Sequence, residues 1–222
     1  MTASQDTERL IAGLVETAQP VRRLSPPLWR AAAWLAVALL IVAGVVIGHG
    51  LRPDLAEQFA RPTLLAEWAG AVLTGVLASI ATFQLSLPDR SIRWLLLPLP
   101  GMLLWLGALG LGCVFDWYRV GPPAFAMTVS WSCVMAIVTT SVPLGLVLLF
   151  MVRHAGYVRP GPTALAGGLA VAALSAAGLS LFHHLDTALM ILIWHLGTVA
   201  LVAVVARVAA EQLFAWVTSR PV

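Results

Sequence analysis

The first 27 residues of this 222-residue chain are polar, with a few apolar positions at helical spacing; from Leu28 on, apolar blocks follow one another with only short polar breaks. A helix of about 20 residues crosses a hydrocarbon core about 30 Å thick. Six blocks meet that length: Leu28–Gly50, Thr63–Leu87, Ile92–Cys113, Pro123–Val152, Thr163–Leu181 and Thr187–Ala209. Lipid offers no partner to unpaired backbone groups, so each block is expected to be helical. The first block is longer than a signal-peptide core and follows the acidic residues Asp6, Glu8 and Glu16, so it reads as a retained span. The pattern predicts an all-α polytopic membrane protein. A six-transmembrane-helix bundle over 28–209 is expected to carry a short amphipathic N-terminal arm over 1–27 and a short C-terminal end over 210–222.

Within the arm, Leu10, Ile11, Leu14, Val15 and Ala18 fall at i, i+1, i+4, i+5 and i+8, which is one face of a helix. Ser4 is the expected N-cap, and Asp6 and Glu8 sit where the helix dipole favours acids. Gly13 in the middle costs about 1 kcal/mol, so so short a helix is marginal alone in water and wants a partner surface. That surface is either the membrane or the chain's own bundle, or else a groove on another protein. The opposite face carries Asp6, Glu8 and Glu16 against Arg9 alone, which disfavours anionic lipid and suits a basic protein groove on which the arm folds as it binds. Pro20, Pro26 and Pro27 stiffen the link that follows. Arg22 and Arg23 either add contacts to an acidic patch or only set topology, and Trp29 and Trp34 are expected as interfacial anchors.

Composition agrees: 60% of residues are hydrophobic and 10% charged, with a mean hydropathy of +0.91, against about 25% charged in a soluble domain. Arginine supplies every strong base, because the chain has no lysine. Ten arginines fall in the arm, at Arg30 just inside the first span, in the second and fourth loops and at the C-terminal end, and three (Arg52, Arg61 and Arg119) in the alternate loops. That split places both termini in the cytoplasm of a bacterium, with the chain in its inner membrane and the other face periplasmic. The pI near 9.5 is then a topology signal, and no direct nucleic-acid partner is implied.

Chemistry-bearing motifs are absent from the sequence. It holds no nucleophile elbow, zinc-protease helix, phosphate loop or paired carboxylates within a span, so no catalytic residue and no enzyme activity are expected. Cys113, Cys133, His183, His184, Asp186 and His195 all fall in or near the periplasmic half of the expected bundle. Thiolate and imidazole together suit a soft or borderline metal ion, so these six are candidate sensor residues; the other reading makes them packing residues, and the spacing matches no zinc motif. No cofactor is expected beyond such a sensed ion. Gly44-x-x-x-Gly48 and Ala164-x-x-x-Gly168 match the small-residue pattern of closely packed spans, and Pro98, Pro100 and Pro143 are expected to kink the third and fourth spans. Glu67, near the start of the second span, is expected to stay hydrated. A small-molecule or ion transporter and a purely structural membrane protein are the rival functions, but the spans are nearly free of the ionisable residues that transporters place at the midplane.

Leu10-Ile11 and Leu14, Pro20-Val21-Arg22-Arg23-Leu24, Pro26-Pro27, Trp34-Leu35 and Gly50-Leu51-Arg52-Pro53-Asp54-Leu55 stand in an order that resembles the NrsF family of six-span inner-membrane anti-sigma factors. The likeness continues through Trp131-Ser132-Cys133, Pro143-Leu144, the Arg153–Pro160 loop and Trp194. It implies a protein that sequesters an extracytoplasmic-function sigma factor and releases it on an envelope, metal or redox stress. Leu10, Ile11, Leu14, Val15, Arg22 and Arg23 are then the partner-binding residues. The family pairs a cysteine in the fourth span with another in a His-Cys-Pro segment before the sixth. Cys133 stands where the first falls, but His183 stands where the second does, and Phe182–Asp186 holds neither Cys nor Pro, so the dithiol does not carry over.

Overall fold

A computed structural model of the chain describes residues 3–17, 24–121, 131–153 and 159–182, together with single helical positions at 197, 200, 204, 208 and 212. Among the described residues every regular element is a helix: α1 (Ala3–Thr17), α2 (Pro27–His49), the short α3 (Leu55–Phe59), α4 (Pro62–Leu85), a 3-10 turn (Ile92–Leu96), α5 (Leu99–Val120), α6 (Trp131–Met151) and α7 (Pro160–Leu179). Proline opens α2, α4, α5 and α7 at a first-turn position, where its missing N–H would have no partner anyway. Gly50 and Gly121 close α2 and α5 at φ 81° and 73°, a backbone region that side chains with a Cβ rarely adopt.

Four described helices, rather than the six expected, are long and apolar enough to cross a membrane: Pro27–His49, Pro62–Leu85, Ile92–Arg119 and Pro160–Leu179. The fourth expected span is met by α6, of which Met135–Met151 counts as a shorter apolar helix, while 122–130 lie outside the described residues. The sixth expected span, 187–209, also lies outside them except for its isolated helical positions. The third block is divided rather than kinked. Pro98 caps α5 and Pro100 lies in its first turn, so the prolines separate the 3-10 turn from a helix that then runs past Cys113 to Val120. Pro143 lies inside α6, as expected.

The bundle is organised around α4, which packs extensively on α5 and α7 and also meets α2, while α6 joins α2 and α7. The contacts rest on small residues. A Cβ on Gly101 would lie 2.6 Å from the backbone nitrogen of Thr74, and one on Gly70 2.6 Å from that of Trp105, so α4 and α5 touch backbone to backbone. Gly75 and Gly178 likewise admit Leu174 and Val42, and Ala164 and Gly168 lie in the packed face of α7. Gly44 and Gly48 do not act this way: neither has a neighbour within 4 Å of an added Cβ, so the small-residue pattern in α2 marks no contact among the described residues. The reason is rotational, since α2 turns its other face, Arg30, Ala31, Trp34 and Ala38, inward.

Candidate functional site

The arm folds locally as the apolar spacing predicts. Helix α1 starts at Ala3, one residue ahead of the expected Ser4 cap, and every side chain described on it, from Thr7 to Glu16, is exposed. Leu10 is 64%, Ile11 54%, Leu14 62% and Val15 70% exposed, so the apolar stripe is not turned into the bundle. An exposed apolar stripe on a short helix is the form shared by helices that lie in a protein groove and helices that lie on a membrane surface. Ala18, Arg22 and Arg23 lie outside the described residues.

The arm joins the bundle through Pro26, which is extended (φ −50°, ψ 141°), and α2 starts at once. Trp34, expected as an interfacial anchor, and Arg30, expected only as a topology charge, instead tie α2 down. Trp34 is fully buried, and its indole N–H points at the Leu144 carbonyl of α6 at 3.4 Å. Arg30, counted above only as a topology charge, is buried; its guanidinium donates to the Met151 carbonyl at the end of α6 and lies over the Phe83 ring of α4, 5.1 Å from its centroid. Helix periodicity puts both on the face of Ala31 and Ala38, where the indole meets α6 along its length and the guanidinium meets the end of α6 and the passing α4. Trp29 remains exposed, as an interfacial residue would.

At the opposite end, Gly50-Leu51-Arg52-Pro53-Asp54-Leu55 folds into a corner. The Arg52 guanidinium donates to both oxygens of Asp54 at 2.7 and 2.8 Å, and the Gln58 amide donates to the same carboxylate at 2.8 Å. These bonds hold the Asp54 carboxyl well below the usual carboxylate range. The Arg52 N–H donates to the Leu181 carbonyl beyond α7, the His49 ring stacks on Phe182 at 4.8 Å, and the Trp68 indole donates to the Ala177 carbonyl at 3.1 Å. The motif is therefore a clasp between the ends of α2, α4 and α7.

The candidate sensor residues are not brought together among the described residues. Cys113 is half-buried on α5 as a free thiol, within electrostatic reach of Asp116 and Glu67. Cys133 lies in the first turn of α6 with its side chain outside the described residues, and His183, His184, Asp186 and His195 lie outside them altogether. The described residues hold no group of three or more His, Cys, Asp or Glu side chains able to grip a metal ion. Glu67 is only 8% exposed, so it is buried in the bundle rather than hydrated at its edge. Sequence reasoning passed over His49 because its stacking partner comes from the far end of α7, which no local pattern signals.

One cleft of about 370 Å³ opens between α4, α6 and α7, lined by residues that include Thr82, Ser141, Gly145, Leu148, Thr163 and Gly167. Its wall is almost wholly apolar. The Ser141 hydroxyl donates to that of Ser175, and the Thr82 hydroxyl to the Ala78 carbonyl, whereas the buried Thr163 hydroxyl finds no hydrogen-bond partner.

No curated protein and no solved structure matches the chain. The family model described as NrsF, negative regulator of sigma F, matches residues 14–216, from inside α1 to beyond the last apolar block. With an outward-facing amphipathic arm on an apolar helical bundle, and with that match over most of its length, the chain belongs to the NrsF family of negative regulators of sigma F.

Proposed function

We propose that this family member is a membrane-bound anti-sigma factor that sequesters an extracytoplasmic-function sigma factor through α1 and the segment that follows it. Six helices anchor it in the bacterial inner membrane with both termini cytoplasmic, and an envelope, metal or redox stress releases the sigma factor. The observation that supports this best is the arm: a helix whose apolar stripe is exposed and whose other face is acidic. Such a helix binds a groove through side chains at i, i+3 or i+4 and i+7, so Leu10, Ile11, Leu14 and Val15 are the anchors. The arginine split over alternate loops supports the orientation, and the long apolar helices support the membrane anchor.

The test is co-purification in detergent of the intact chain, and of a chain lacking residues 1–19, with each extracytoplasmic-function sigma factor of its source. Capture of one sigma factor by the intact chain alone is the expected result. Equal capture by both chains moves the binding site out of the arm, and capture by neither overturns the reading.

A further inference from the structure

The cleft between α4, α6 and α7 changes character along its length. From Gly145 to Leu148 and Gly167 it is apolar, and at Thr163 its wall holds a buried hydroxyl without a partner; past the lining residues at that end, Val152 and Thr163, the chain carries Arg153 and Arg159. Arg159 lies one turn ahead of Thr163, whose N–H donates to the Arg159 carbonyl at 3.3 Å. Arg153 follows Val152, which lines the same end of the cleft, and it makes no ion pair among the described residues. Arg159 donates one guanidinium N–H to the Arg90 carbonyl at 2.6 Å and likewise makes no ion pair among the described residues. Arg90 adds positive charge beside it, only loosely countered by Asp89 at 3.6 Å.

A hydroxyl buried in apolar surroundings is costly without an acceptor, and an apolar cleft of this volume lies within the range of ligand sites, about 300–1,000 Å³. One class of molecule offers the matching groups in the matching order: an acyl chain for the apolar stretch, an ester carbonyl to accept from Thr163, and an anionic head for Arg159 and Arg153. We propose that this cleft binds an anionic glycerophospholipid, seated with its phosphate at the arginine-rich end of the bundle. The inference rests on the membrane reading given above but not on the sigma-factor reading. Because α6 ends at the Met151 carbonyl held by Arg30, the lipid sits beside the joint from which the arm departs. Charge complementarity favours an anionic head over a zwitterionic one, by roughly fivefold for each arginine near the headgroup plane.

Native mass spectrometry of the full-length chain in detergent, with phosphatidylglycerol and phosphatidylcholine of matched acyl chains, tests this. The intact chain is expected to retain phosphatidylglycerol about fivefold or more over phosphatidylcholine. Arg159→Gln should reduce that preference about fivefold, and Thr163→Val should lower retention of both lipids. Gly145→Phe places a ring in the cleft where an added Cβ meets nothing within 4 Å, and it should abolish retention while the chain stays monodisperse. Equal retention of the two lipids by the intact chain, or unchanged retention by both Gly145→Phe and Arg159→Gln, overturns the proposal; an apolar segment such as 187–209 seated in the cleft would give the same result. Recovery of the chain from the soluble fraction without detergent would instead defeat the membrane reading itself.

Discussion

Helices α1 and α7 are similar in length, 15 and 20 residues, and opposite in logic. In α1 the apolar residues keep strict helical spacing, yet the stripe they form faces outward. In α7 small apolar residues run all round the helix with little periodicity, and most of it is buried against α4, α6 and α2. Amphipathic spacing usually announces which face a helix turns to its own core. Here the stripe stays exposed, while the bundle draws its packing from the close approach of small residues rather than from an apolar stripe.

The sharpest way to break this contrast is to load the bundle's contact positions. Gly101→Leu drives a side chain into the α4 backbone, 2.6 Å away at the first carbon, and should destabilise the bundle by about 3 kcal/mol or more, seen as loss of a monodisperse peak and a lower thermal midpoint in detergent. Bundle stability unchanged by that substitution would mean that α4 and α5 do not meet as described.

Leu14→Asp carries the next largest effect, on the arm alone. It should weaken sigma capture by about 2 kcal/mol or more, roughly 30-fold, while the thermal midpoint of the bundle stays put. Retained capture would remove α1 as the groove-binding element. The milder Gly13→Ala sharpens the same point in the other direction, since an added Cβ there meets nothing within 4 Å and gains about 1 kcal/mol of helix propensity. The helix content of a peptide spanning 1–19, followed by circular dichroism, should rise, and capture should strengthen by up to about fivefold.

The smallest effect lies at the Arg52–Asp54 clasp. The Asp54 carboxyl has a lower pKa in the folded chain than the ordinary value of about 3.9, so its stabilisation is fully present above that value and is lost as pH falls through the depressed folded one. Thermal midpoints of the parent should therefore exceed those of Asp54→Asn at pH 7, and the gap should close only under strongly acid conditions. A gap that does not depend on pH would show that the carboxylate charge plays no part in the clasp.

Much of this was legible in the residues. The arm's stripe, the extended break at Pro26, four of the long apolar helices and Pro143 within α6 follow from local spacing and backbone chemistry. The roles of Trp34, Arg30, Glu67 and the Gly44–Gly48 pair did not, because each turns on which face of a helix meets a neighbour. A tryptophan or an arginine near the end of a span reads as interfacial until a carbonyl of a neighbouring helix accepts from it.

By itself the sequence determined the helical character of the chain and its division into a polar arm and an apolar helical bundle, since hydropathy and backbone satisfaction act over a single segment and need no partner. Only the tertiary structure decided which small residues let helices touch, that Arg30 and Trp34 bind α2 to α6, and that a cleft lined by an unpartnered hydroxyl opens between α4, α6 and α7. Those features arise where helices distant in sequence cross, and the rotation of each about its own axis is set by the whole bundle at once.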